Sequence, residues 1–267
     1  MKVQNNYDLS YVFIGLNPEK WEQNFYNIMG AVAPYTFEFI IVSPYFPTPA
    51  LQQELNVKFI RDFGHPSRCL QLGSTISVGE FFTWGSEDYR AEPNGIAKSI
   101  KLLKKNRFYD VINMLYSEGP GYTGSQHLDE NYWKPYTHPP LRQKQVNPEW
   151  QICMTPLLRL QLFREMGGVD CRYEHFNFNV HDLMFRIQHR NGRIIKTPEK
   201  VYSHDHVPQY VGDHRAFEDC QAENDMPRFI MRYSQPTIDM TPIPYDNWMF
   251  QSNIWARREK RYVKNEA

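Results

Sequence analysis

Two short runs limit what this chain can become. YVFIGL (residues 11–16) and FEFIIVS (residues 37–43) are apolar almost throughout, are too short to be core helices, and stop at Asn17-Pro18 and Pro44. Between them Trp21, Phe25, Ile28 and Met29 recur at roughly helical spacing over residues 21–31. Strand, helix, strand predicts a βαβ unit, and strands apolar on both sides predict a parallel sheet with both faces covered. Further strands are expected at residues 57–60, 80–84, 110–117 and 193–198. Pro93 is expected to open a helix with Ile96, Ile100 and Leu103 on one face and Lys101, Lys104, Lys105 and Arg107 at its C-terminal end. Helices are also expected at 156–166, stopped by Gly167-Gly168, at 182–190, stopped by Asn191-Gly192, and around 216–233. The whole reads as one α/β sheet flanked by helices, and 267 residues can bury such a core.

Residues 119–149 break the pattern. They are rich in Pro, Gly, Tyr and His, show no period, and are long for an idle connection. Lys plus Arg and Asp plus Glu both total 30, so the formal net charge is zero and no global grip on nucleic acid is implied. The four cysteines, Cys69, Cys153, Cys171 and Cys220, form no CxxC pair, which argues against a zinc cluster or a disulfide framework. No run of 18 apolar residues occurs and MKVQNNYDLS has no apolar h-region, so a soluble, unexported, cytoplasmic protein is expected.

The chemistry gathers at GEFFTWGSEDYRAEP (residues 79–93), where a buried strand runs into Glu87-Asp88. Taken alone, an acid pair there reads as a solvated turn. At the carboxyl end of a parallel strand it also reads as a seat for a hard cation, which takes carboxylate oxygens. The stretch resembles the GEYIxxLDDD segment of family 2 glycosyltransferases of the GT-A fold, with Gly73 and Ser77 where small residues precede the Gly-Glu. FREMGGVD (163–170) is similar to that family's helix-to-GGFD corner. HDLMFRIQHRNGRIIKTPEKVYSHDH (181–206) is similar to its DLxxR, strand and His segment. Together these pieces cover roughly residues 11–206 in the family's order.

The resemblance implies a GT-A fold: a Rossmann-like, mixed but mostly parallel sheet over residues 1–206, with a nucleotide-sugar half at 1–118 and an acceptor half at 119–206. A mainly helical extension at 207–267 would pack on it. It implies transfer of a hexosyl or pentosyl group, with inversion, from a nucleotide-sugar, a UDP-sugar being favoured, with Mn²⁺ or Mg²⁺ as cofactor. Metal ligands by resemblance are Asp88, Glu87, His204 and His206, with Asp205 an alternative and Glu87 shared between the metal and the ribose. Asn17, Ser43, Gln71, Glu87 and Arg186 would face the cofactor, though Arg186, four residues after Asp182, reads first as pairing with a carboxylate and orienting its helix.

The chain also departs from the pattern. Ser86 replaces the first acid of the cluster, Ser43-Pro44 stands at a frequent acid, and Gln71 stands near a usual Asn. EDxDL reads Asn179-Val180-His181-Asp182-Leu183, so the usual base is Val180. Asp182 is then the remaining carboxylate for the base, with His181 and Glu174 as substitutes. The acceptor stays open between a glycan, a lipid-linked sugar and the hydroxylated bases of viral DNA. A binding module on a degenerate transferase fold is the non-enzymatic rival. The basic stretches at 98–107 and 257–264 read first as a solvated helix face and a polar tail, and second as a grip on a polyanionic acceptor.

Overall fold

The computed structural model describes residues 7–118, 151–204, 224–233, 238 and 240–249. The residues expected to form the aromatic-rich loop, His206, Asp205, Cys220 and the basic tail lie outside the described residues. Among the described residues eight strands form one sheet: β1 (Leu9–Ile14), β2 (Phe37–Ser43), β3 (Val57–Arg61), β4 (Phe81–Ser86), β5 (Tyr89–Ala91), β6 (Val111–Glu118), β7 (Pro156–Arg159) and β8 (Ile194–His204). Their spatial order is β3-β2-β1-β4-β7-β6-β8-β5. β3, β2, β1 and β4 are parallel, as are β6 and β8, while β7 and β5 run antiparallel to their neighbours.

The sheet divides its core by strand alternation. Leu9, Tyr11 and Phe13 point to one face, where Trp21, Phe25 and Ile28 of α1 (Trp21–Val32) and Ile96, Ile100 and Leu103 of α4 (Gly95–Lys104) cover them. Val12, Ile40, Val42, Phe82 and Trp84 point to the other. There they meet α3 (Pro66–Ile76), α5 (Leu160–Glu165) and α6 (Phe176–His189) through Leu70, Phe163, Val180, Leu183 and Met184. Each fully buried side chain of this size contributes about 1.5–3 kcal/mol. The short helix α2 (Pro49–Gln53) leads into β3, and α7 (Met226–Tyr233) lays Phe229 against Phe178 and Phe185 of α6.

Several sequence expectations are corrected. Residues 156–159 are strand rather than helix, because Leu157 and Leu158 face opposite cores and Pro156 and Leu157 pair with β6. α4 starts at Gly95, behind a left-handed Asn94 (φ 57°), so Pro93 precedes the helix. α6 begins six residues earlier than residue 182, capped by His175 Nδ1, which accepts from the Asn177 N–H. The 193–198 strand runs on to His204.

Candidate functional site

Consecutive strands leave β1 toward opposite sides, β2 on one and β4 on the other. That reversal marks the carboxyl ends of β1 and β4 as the crevice at which doubly wound sheets take ligands. The expected acids lie there: β4 ends at Ser86, Glu87 and Asp88 form the turn, and β5 begins at Tyr89.

The two acids of this turn have different surroundings. Glu87 reaches back over the crevice, and its Oε2 accepts from the Leu16 N–H at 3.0 Å and the Asn17 N–H at 2.8 Å. Gly15 makes that approach possible. A Cβ at Gly15 would stand 3.0 Å from Glu87 Oε2 and 2.7 Å from Trp21 Nε1. Asp88 is half-buried and its carboxylate has no hydrogen-bond or ionic partner among the described residues. Its neighbour Tyr89 is the ladder partner of His204, and the two rings lie 4.7 Å apart. The sheet thus brings Asp88 and His204 to one edge, though they are 116 positions apart in sequence. Among the described residues no three His, Cys, Asp or Glu side chains converge as a metal cluster. An open carboxylate of this kind can take a hard cation that draws its other ligands from phosphate oxygens.

Asn17 and Ser43 border the same crevice from β1 and β2. Asn17 Oδ1 accepts from the Glu19 N–H, capping a short 3₁₀ turn at Pro18–Lys20. Ser43 is buried, donates to the Gly15 carbonyl at 2.8 Å and accepts from the Tyr45 N–H. It therefore supports the β1 loop from below. A further pair, unmarked by the sequence reading, lies at the exit of β3. Asp62 accepts from Gly64 N–H at 2.7 Å and is bridged by Arg68 at 2.9 Å. The signal was present in GHPSR: His65 is the N-cap and Pro66 the first residue of α3.

The remaining expected residues lie elsewhere. Gln71 is fully buried; its amide donates to the Gly167 and Tyr245 carbonyls at 3.2 and 2.8 Å and accepts from Val169 N–H at 3.0 Å. It grips the Gly167-Gly168 corner instead of facing a nucleotide. Gly168 has φ +71°, and a Cβ there would stand 2.0 Å from Gln71 Oε1. Arg186 is also buried, donating to Asp182 at 2.8 Å, to the Gly168 carbonyl at 2.7 Å, and to the Met166 carbonyl. Asp182 is fully buried and receives Arg186, Arg232 at 2.9 Å and the Tyr233 hydroxyl at 2.6 Å. With both oxygens engaged, it is placed as a structural anion and not as an exposed base. Val180 is sealed in the core with Leu183 and Cys69.

His181 is buried beside Phe178 and Phe229, and that burial lowers its pKa to about 4, which leaves it a neutral, weak base. Glu174 is buried just ahead of the α6 N-cap. Its backbone N–H and that of His175 donate to Asp225, whose pKa burial raises to about 6. The next residue, Phe176, packs edge-on against Trp84 of β4 at 5.9 Å, so the start of α6 lies beside the crevice strand.

No known family profile matches the chain, and no curated protein does. Solved structures do. Residues 1–349 of TarS from S. aureus superpose with a TM-score of 0.52 at 15% identity, over 74% of this chain and 60% of that one. The same TarS fragment in complex with UDP gives 0.54 at 15% identity, over 84% and 70%. A longer TarS structure gives 0.52 at 16% identity, over 84% of this chain but 42% of that chain. The likeness, together with the sheet order, shows the GT-A fold. Among the described residues no helix is long and apolar enough to cross a membrane.

Proposed function

We propose that this chain transfers a sugar from a nucleotide-sugar, a UDP-sugar by preference, to an acceptor hydroxyl with inversion. The observation that carries the reading is the β4–β5 turn. One of its acids clasps the β1 loop, and the other is left open beside His204 at the ligand-binding edge of the sheet. The TarS fragment in complex with UDP has the same fold, which supports a uridine diphosphate group at this edge.

Asp88 and His204 would hold Mn²⁺ or Mg²⁺, together with His206; when bound, the ion neutralises charge on the departing diphosphate. Glu87 keeps the Leu16–Asn17 loop fixed, and so sets the wall against which the nucleotide rests. Asn17 and Ser43 border that wall, and Asp62 with Arg68 closes it at the β3 exit. Of the candidate bases Asp182 is engaged in ion pairs, and burial disfavours His181 and Glu174 alike; Glu174 is assigned to take the acceptor proton because the start of the helix that follows it packs beside the crevice strand through Phe176 and Trp84. Asp225, bonded to the Glu174 and His175 N–H groups, fixes the loop that bears it.

A second reading, a binding module without turnover, has an observation in its favour: the position of the family's usual base is Val180, sealed in the core. One experiment separates the two. A panel of nucleotide-sugars is incubated with the protein, with and without Mn²⁺, and nucleotide release is followed. Metal-dependent release from one donor is expected; donor binding with no release under any condition would leave only the module.

A further inference from the structure

The groove between α4 and β8 belongs to none of this. It encloses about 720 Å³ beside the middle of β8. Leu102 and Val201 give it an apolar floor, and Lys98, Lys101, Lys105 and Lys200 stand round it. Two acids share the lining, but both are engaged: Glu199 with Lys98 at 2.6 Å and Glu92 with Lys200 at 2.9 Å. Lys101 and Lys105 are exposed and have no anionic partner among the described residues. Lys98, Lys101 and Lys105 share one helix face at i, i+3 and i+7, which spans roughly 10 Å of helix.

Three features make this more than a solvated helix face. The first is position. Val201 lines the groove three residues before His204, and Glu92 lines it immediately after β5, so one end of the groove lies about 10 Å along the strand from the edge that carries Asp88 and His204. The second is the floor. Lysines and Pro198 guard an open strand edge against pairing, but that task needs no apolar trough between helix and strand. The third is composition: among the described residues no aromatic ring and no arginine lines the groove. Single-stranded nucleic acids are held largely by stacking on aromatic side chains, so this lining suits a chain of charges without bases.

We propose that the α4–β8 groove binds a linear polyanion, a chain of phosphate or carboxylate repeats, and leads it toward the β5–β8 edge. That this polymer is the sugar acceptor rests on the glycosyl-transfer reading; that the groove binds it does not. The test uses the full chain and fluorescent long-chain polyphosphate, titrated at several salt concentrations. Wild type is expected to bind saturably, with affinity falling as salt rises through counterion release. The K101E/K105E variant is expected to bind about tenfold or more weakly, with a salt slope shallower by about 1 or more. K101Q/K105Q should fall between them, and thermal melts check that all three are folded. Equal binding by wild type and both variants would overturn the proposal. Tighter binding of single-stranded DNA than of polyphosphate would overturn the ligand class. Failure of the transfer reading shows separately, as absence of nucleotide release by wild type from any donor, and leaves the binding result standing.

Discussion

Asp88 and Asp182 are both acids that a sequence reading sends to the active site, and the fold treats them in opposite ways. Asp182 sits where α6, α7 and the Gly167-Gly168 corner meet, and its oxygens are taken by Arg186, Arg232 and Tyr233. Asp170 beside it is similarly held. Burial pushes its carboxyl up, but hydrogen bonds and charge from Arg172, with Arg186 adding its charge, more than reverse this and hold it below the usual range. Asp88 has none of these partners and lies in a turn at a ladder edge. The difference teaches that an acid's place in a motif does not fix its role; what matters is whether the fold has already filled its acceptor positions. A saturated carboxylate stabilises the fold, whereas an open one at a ligand edge is available to a ligand.

The sharpest way to break this comparison is to empty the saturated cluster. Arg186→Ala leaves Asp182 facing a void and strips two corner carbonyls of their donor, and it is expected to cost about 3–5 kcal/mol, read by urea unfolding. A loss below 1 kcal/mol would mean the cluster does not hold the corner. The next effect is on pH. His181 has its folded pKa lowered to about 4 from an ordinary 6.5. Below pH 6.5 the unfolded chain takes up a proton that the folded chain refuses, so stability falls as pH drops from 6.5 toward 4. Its share of that span is about 3 kcal/mol; burial lowers the neighbouring His175 to about 4 as well, so His181→Leu should reduce the slope of that part of the stability–pH curve by about half, and an unchanged curve would contradict the burial.

The open side should respond in the other currency, activity with the fold intact. Asp88→Ala is expected to leave the melting temperature within a few degrees and to lower metal-dependent nucleotide release about 100-fold or more. Full metal-dependent release would remove Asp88 from the site. The smallest effect is expected at Glu87→Ala. It frees two loop N–H groups, and it should raise KM for the donor by about tenfold while changing kcat less. A loss confined to kcat would place Glu87 on the reacting groups rather than on the loop.

Against this contrast, the legible and illegible parts of the chain separate by physical range. Residues 37–43 form β2 as read, because an apolar run bounded by proline is a local signal. The acid turn after β4 was readable for the same reason. Pro156-Leu157-Leu158-Arg159 reads locally as helix because its apolar residues match both periods, and only pairing with β6 and β4 decides for strand. The resemblance sets Gln71 and Arg186 on the cofactor, while the spacing of Arg186 from Asp182 also predicts a carboxylate partner, and that ion pair forms. What no local signal carries is their grip on the carbonyls of residues 167, 245, 166 and 168, which tertiary packing alone brings close. His204 joins Asp88 only through the β5–β8 ladder, which no spacing rule encodes.

The strap at residues 244–249 has a consequence for how the chain can be assembled. Tyr245 offers its carbonyl to Gln71, Asn247 accepts from Cys171 N–H and donates to the Gly167 carbonyl, and the Trp248 carbonyl receives Arg68. These contacts tie one of the last described segments to a corner and a helix made far earlier. Chains emerge from the ribosome N-terminus first, so strands and helices up to β8 can gather while that corner still lacks its final partners. The glycine corner is therefore a late-closing seam. Any shortened version of the protein that ends before residue 245 would carry the seam open.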